Sequence, residues 1–245
     1  MGRRPVLEAV RAGATSEVLV AGASRPTEPL RELRDAAARA GVPVTAVDGE
    51  RIQALARGAH HQGVAARVTV PGPLSEGDLE RFDWPEDPLV VVLDGVTDPQ
   101  NLGAVARTAE ASGASALVVR RPRGATVGPA SIRASAGALL HLPVAEVANV
   151  PRALGRLKGA GFWVAGLDGT ATVTVAASEP PPGALALVVG SEGGGLSRLA
   201  RERCDVLLRI PMRGRVESLN VAVAAGVGLF GYAERRREEK QESDA

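Results

Sequence analysis

The sequence predicts an α/β protein in two parts, the larger built on a mainly parallel sheet. Four short runs in the second part are almost wholly apolar: Leu89-Val90-Val91-Val92-Leu93, Ala116-Leu117-Val118-Val119, Phe162-Trp163-Val164-Ala165 and Leu185-Ala186-Leu187-Val188-Val189. Such continuous runs mark strands covered on both faces, and each is followed by Gly or Asp and then helical spacing, the rhythm of a parallel sheet with helices on either side. A stretch rich in breakers and acidic residues, between residues 70 and 88, separates this part from a smaller one before it. At 245 residues the chain has room for one large or two modest domains.

In the smaller part, 1–69, helical spacing covers 5–12 and 29–40. Strands are expected at 17–20, 42–47 and 64–68. The intervening 70–88 carries one basic against six acidic residues among Pro71-Gly72-Pro73 and Pro85-Glu86-Asp87-Pro88, a composition that disfavours packing and predicts a tethering linker. The larger part spans 89–245. It ends in a charged run, 234–240, expected to be a solvated helix end.

Composition excludes several classes. One cysteine, Cys204, precludes an internal disulfide and any Cys-paired zinc site, which favours a reducing compartment. No N-terminal apolar run resembles a signal peptide and no stretch approaches the roughly 18 apolar residues of a membrane span, so a cytoplasmic protein with no membrane partner is expected. His60 and His61 are adjacent, diverge in extended chain and have no third ligand nearby, so no metal is expected there. Basic residues outnumber acidic ones ten to seven over 1–68 and eighteen to fifteen over 89–245. Nearly all the cations are Arg, which suits phosphate, although a GC-rich genome accounts for the bias equally well.

Three further segments carry the chemistry. Asn101 follows Thr97-Asp98-Pro99-Gln100 and precedes the helical stripe Leu102, Val105, Ala106 and Ala109, which puts it at or beside a helix N-terminus. Arg107 falls about 140° around that helix from Leu102 and is free to reach an anion. Gly190-Ser191-Glu192-Gly193-Gly194-Gly195 supplies a turn whose backbone can approach a ligand, with Glu192 at its start. It does not give G-x-G-x-x-G and comes late in the domain, against a dinucleotide-binding Rossmann sheet. Ser218 and Asn220 precede a stripe of Leu219, Val223, Val227 and Phe230. Taken singly, Asn101, Ser218 and Asn220 are explained as helix caps and Arg107 as a solvated surface residue.

Taken together and in order, the segment from Asp94 to Ala109, the segment from Val188 to Leu196, and Arg209-Ile210-Pro211-Met212 with Glu217-Ser218-Leu219-Asn220 resemble the three signature blocks of the SpoU (TrmH-like) ribose methyltransferases. Ala222 stands where many members carry Ser. The segment 2–9 with His61-Gln62-Gly63-Val64 is similar to the substrate-binding domain, itself like a small ribosomal protein, of SpoU-type ribosomal RNA enzymes. The resemblance implies an α/β domain closed by a deep trefoil knot, one of the few exceptions to the rule against knots. It implies S-adenosyl-L-methionine as cofactor, held by Val189, Gly190, Gly193, Ile210, Met212, Ser218, Leu219 and Asn220. Arg107, Asn101, Glu192, Ser218 and Asn220 are the implied catalytic set, and a homodimer the implied assembly.

The implied reaction is attack of a ribose 2′-hydroxyl on an electrophilic methyl, which requires alignment, proton loss and stabilisation of a developing alkoxide. A guanidinium stays protonated at neutral pH, so Arg107 is assigned to phosphate anchoring and alkoxide stabilisation rather than unaided general base. The small domain points to large-subunit (23S) ribosomal RNA, with a guanosine as target. A transfer RNA, or the ribosomal RNA loop modified by antibiotic-resistance members, is the alternative. A catalytically silent RNA-binding module is the competing class, and the presence of all five implied residues disfavours it. Aromatics make up only 2% of the chain, so recognition of the looped RNA by shape and phosphate is expected.

Overall fold

The structure, a computed structural model, describes residues 1–243 except 23, 25, 26, 59, 123, 180 and 181, and of 236–243 the backbone only. The small domain runs α1 (Arg3–Arg11), β1 (Thr15–Ala21), α2 (Glu28–Arg39), β2 (Val44–Val47), α3 (Gly49–Ala56) and β3 (Val64–Val68). Its sheet has the order β2-β1-β3, with β2 parallel and β3 antiparallel to β1. Strand alternation sends Val18, Val20 and Val64 toward α1 and α2, where Val6, Val10, Leu30 and Leu33 close one core. Leu19 and Ala65 point the other way and meet Ile52 of α3, a helix the periodicity had not announced because it has eight residues. The His61 ring accepts from the Gly63 N–H at 3.0 Å and bonds Gln53 at 2.7 Å, which fixes the turn into β3.

The remaining elements are β4 (Leu74–Ser75), β5 (Leu89–Asp94), α4 (Pro99–Ala111), β6 (Ala116–Arg120), α5 (Pro129–Ala134), β7 (Val144–Val147), α6 (Val150–Gly159), β8 (Trp163–Leu167), β9 (Val173–Thr174), β10 (Leu185–Gly190), α7 (Arg198–Arg203), β11 (Val206–Arg209) and α8 (Val221–Ser243). The strands form one eight-stranded sheet, β4-β7-β6-β5-β10-β8-β11-β9, and every pairing in it is parallel. The four apolar runs are β5, β6, β8 and β10. Alternate residues serve opposite cores: Val91, Leu93, Leu187 and Val189 face α4 and α8, while Val90, Val92, Ala186 and Val188 face α6 and α7. One expectation fails after β8, where β9 and a 3₁₀ turn at Val175–Ala177 replace a helix before β10. The polar, Pro-rich sequence from 168 to 183 has no apolar stripe to build one.

Segment 70–88 is not the unpacked tether its composition predicts. Leu74–Ser75 adds β4 to the sheet beside β7, and Leu79 is fully buried in the α6-side core. Trp84 stacks edge-on against Phe82 and Phe162, with ring centroids 4.6 and 5.0 Å apart. Two of its acidic residues are paired with α6: Glu76 accepts from the Arg152 side chain and from the Ala148 N–H at 3.2 Å, and Arg156 pairs with Glu80 at 2.9 Å. The Arg152 guanidinium holds the Glu76 carboxyl below the usual carboxylate range. Two of the like charges that argued for a tether, Glu76 and Glu80, are thus offset by arginines of α6.

Helix α8 is the last element laid on the sheet. Val221, Ala225, Leu229 and Tyr232 form its buried stripe, and a Cβ on Gly228 would stand 2.8 Å from the Leu187 Cδ2, so the helix lies directly on β10. The stripe seen in sequence, Val223, Val227 and Phe230, faces outward at 52, 41 and 51% exposure. The charged run from 234 continues α8, its side chains beyond 235 lying outside the described residues. Among the described residues no helix is long and apolar enough to cross a membrane. Leu79→Ala is expected to cost about 2–5 kcal/mol of stability, measured by denaturant unfolding of the large domain; a loose linker would lose almost nothing.

Candidate active site

At the carboxyl ends of β8, β10 and β11, three loops enclose a cleft of about 600 Å³, within the usual range for small-molecule sites. This is where parallel sheets generally receive ligands. The loop after β10 is the tightest. Ser191 and Gly195 exchange backbone hydrogen bonds of 3.1 and 3.0 Å, and Gly193 and Gly195 take positive φ to close the turn. A Cβ on Gly190 would lie 2.1 Å from the Gly195 carbonyl carbon, so the loop folds back over a position that only glycine can occupy. Asp94, buried at the end of neighbouring β5, receives the Ser197 N–H at 2.7 Å and ties down the far end of the loop.

Above the cleft, three side chains from distant segments join. Asn220 Nδ2 donates to Asn101 Oδ1 at 2.9 Å and to Glu192 Oε1 at 2.5 Å, and Asn101 Nδ2 donates to the same Glu192 oxygen at 3.3 Å. Asn101 is not the cap of its helix; Asp98 is, accepting from the Gln100 N–H at 2.9 Å. Asn220 does cap, because its Oδ1 accepts from the Ala222 N–H at 2.9 Å while its amide nitrogen serves the trio. One side chain thus caps α8 and joins the trio.

Of the residues expected to hold cofactor, Val189, Gly190, Ile210, Met212, Ser218 and Leu219 line the cleft, and so does Glu192. Gly193 belongs to the turn without lining the cleft, and Asn220 lies in the trio rather than on the wall. Arg107 is not brought to the trio. It is exposed and opens into a separate cleft between the domains, because six residues of helix carry it about 9 Å along α4 from Asn101. Sequence reasoning missed Leu167, Asp168, Gly169 and the 214–217 segment of the wall. Asp168 and Gly169 had a signal, since they directly follow an apolar strand run at its carboxyl end.

The family whose geometry this is follows from comparison. Residues 88–230 match the SpoU rRNA Methylase family and residues 1–73 match the RNA 2′-O ribose methyltransferase substrate binding family. The chain belongs to the SpoU rRNA methylase family and is an S-adenosylmethionine-dependent RNA 2′-O-ribose methyltransferase. It is 42% identical over 223 residues to the 23S rRNA (guanosine-2′-O-)-methyltransferase RlmB of Xanthomonas campestris pv. campestris, covering 90% of this chain and 88% of that one. The RlmB of Photobacterium profundum is 40% identical over 209 residues, 85% of this chain and 83% of its own. The SpoU methyltransferase AviRb of Streptomyces viridochromogenes, solved in complex with the cofactor AdoMet, superposes with a TM-score of 0.77 at 30% identity over 97% of this chain and 89% of that one. The TrmH/SpoU tRNA modifying enzyme of A. aeolicus reaches 0.56 at 29% identity, over 68% of this chain and 84% of its own.

The cleft suits S-adenosylmethionine chemically. Val189, Leu208, Ile210 and Leu219 offer apolar wall to an adenosine, Gly190 and Gly195 bring the tight turn's backbone to the wall, and Glu192 and Glu217 suit a cofactor that carries sulfonium and ammonium charge. Gly190→Ala is expected to abolish measurable S-adenosylmethionine binding in calorimetry while the small domain still melts as in the parent. Retained affinity within threefold would show that the loop tolerates the methyl group.

Proposed function

We propose that the protein transfers a methyl group from S-adenosylmethionine to the ribose 2′-hydroxyl of a guanosine in large-subunit (23S) ribosomal RNA. The observation that carries this is the Asn101–Glu192–Asn220 trio standing over the cofactor cleft, in a chain whose two domains both match RNA methyltransferase families. The ribosomal target is supported by near full-length similarity to two 23S rRNA guanosine enzymes, against a tRNA-modifying relative that matches 68% of this chain.

The cofactor supplies an electrophilic methyl on sulfur. The protein's task is to hold a very weak acid in line with it. Glu192 accepts from both amides and thereby fixes which edge Asn101 and Asn220 present, so the trio orients the ribose and the loop without changing charge. Ser218, on the cleft wall, is assigned to the methionine end of the cofactor. Arg107 is assigned to the RNA: standing in the cleft between the domains and not at the trio, it anchors a phosphate of the bound strand, and the proton leaves to a phosphate or to water rather than to the guanidinium itself. Gly193 and Asn220 act on the cofactor through the loops they shape.

The functional assembly is a homodimer. Val223, Val227 and Phe230 form an exposed apolar stripe at helical spacing on a helix whose opposite face is already buried. A second copy is the occupant the family resemblance implies. Val227→Glu with Phe230→Glu is expected to convert a dimer into a monomer in light scattering at micromolar concentration, and a parent protein that is already monomeric at that concentration would overturn the assignment.

The reaction is tested by incubating the protein with S-adenosyl[methyl-³H]methionine and, separately, unmodified large-subunit ribosomal RNA and bulk transfer RNA, then mapping alkali-resistant linkages. Label at one ribosomal guanosine is expected. Label in transfer RNA alone would overturn the substrate, and cofactor binding with no label in either RNA would favour the silent binding module. Arg107→Ala is expected to lower turnover at least a hundredfold with S-adenosylmethionine affinity unchanged within about twofold.

A further inference from the structure

We propose that the cleft between the two domains seats the phosphate backbone of the RNA substrate, with Arg4 of the small domain and Arg107 and Arg133 of the large one acting together. The proposal rests on the reading of the protein as an RNA methyltransferase and adds where the strand lies. The cleft has a volume of about 580 Å³ and is walled by α1, the second half of α4, and α5 with the turn that follows it. The walls meet in direct contact: Gly137, at φ +94°, lies so close to α1 that an added Cβ would stand 2.9 Å from the Glu8 Cβ.

The charge in this cleft is not spent internally. The guanidinium groups of Arg4, Arg107 and Arg133 form no ion pair or hydrogen bond with the described residues. Of the two carboxylates present, Glu8 is engaged by Arg11 at 3.1 Å, which leaves Glu110 alone against three guanidinium groups. Elsewhere on the large domain, arginines beside carboxylates are paired, as Arg152 is with Glu76, Arg156 with Glu80, and Arg201 with Asp168. Three free guanidinium groups converging in a concavity raise the local concentration of an anion and offer planar forks to successive phosphates.

Geometry links this seat to the chemistry. Asn101 of the trio and Arg107 of the cleft sit on one rigid helix about 9 Å apart along its axis, close enough for a single RNA segment to touch both. The small domain then contributes an arginine to the strand being modified, in addition to any contacts on its own outer surface. Arg4 and Arg133 come from segments 129 residues apart in sequence, so no local motif announces the site.

The test is binding of in vitro transcribed, unmodified large-subunit ribosomal RNA as a function of salt. Arg4→Ala with Arg133→Ala is expected to weaken binding roughly tenfold near physiological salt and to reduce the slope of log Kd against log salt by about 1.4, that is about 0.7 for each lost phosphate contact. Arg81→Ala with Arg203→Ala removes the same charge from exposed positions on the α6 and α7 side of the large domain, the face of the sheet opposite α4, and is expected to change neither. Thermal melting and S-adenosylmethionine affinity, measured on both doubles, report whether the fold survives. Parent-like affinity and slope in the Arg4/Arg133 double would overturn the proposal, as would an equal loss in the Arg81/Arg203 double. A parent protein that binds this RNA through the cleft yet transfers no methyl would sink the methyltransferase reading and leave the cleft assignment standing.

Discussion

The parallel pairing of β10 between β5 and β8 is the constraint on which the other features depend. Leu185 through Val189 are buried on both faces, so the strand has no freedom to shift register without moving two cores at once. Its carboxyl end therefore fixes where Gly190 falls, and Gly190 fixes the loop that follows, because that position has no room for a side chain. The same strand sets the height of α8, which rests on Leu187 through Gly228. Cleft wall, glutamate and capping asparagine all inherit their positions from one strand.

The trio solves a problem of precision with groups that make modest individual bonds. Each of the two asparagines is a donor with an acceptor supplied by the trio, and Glu192 collects two donors on one oxygen, so rotating any one amide breaks the bond of another. Among the described residues no three His, Cys, Asp or Glu side chains cluster as a metal site, and Cys204 is a free thiol, so the trio's own hydrogen bonds carry its geometry. Helix α4 meanwhile serves two tasks at its two ends, Asn101 near the N-terminus beside the cofactor cleft and Arg107 in the groove between domains. A helix is well suited to this, because its length converts sequence separation into a fixed spacing.

Much of this was legible in the sequence, for reasons that differ by element. The strands of the large sheet were legible because burial on both faces writes an uninterrupted apolar run, and β3 at Val64–Val68 was found to the residue. The segment containing β4 was misread because its anchors, Leu74, Leu79 and Trp84, are isolated apolar residues among breakers and acids, and the partners that justify them lie some 70 residues later in α6 and β7. On α8, sequence located a stripe without saying which way it faced. The buried stripe of Val221, Ala225, Leu229 and Tyr232 is equally periodic and includes an alanine and a tyrosine, which carry less apolar weight than Val and Phe. For the site, local reasoning identified caps and turns, the resemblance identified the cluster, and only the fold could show that Arg107 stands apart from the residues it accompanies in the motif.

Asn220 has a temporal meaning as well as a spatial one. It caps α8 and completes the trio with residues 101 and 192, so the site closes only when that helix is seated on β10. During synthesis the cofactor loop after β10 is made well before residue 220 emerges, and through that interval Glu192 and Asn101 lack their third member. On the proposed role of the trio, a nascent chain is incapable of chemistry until that helix is seated, and catalytic competence becomes a readout of finished folding.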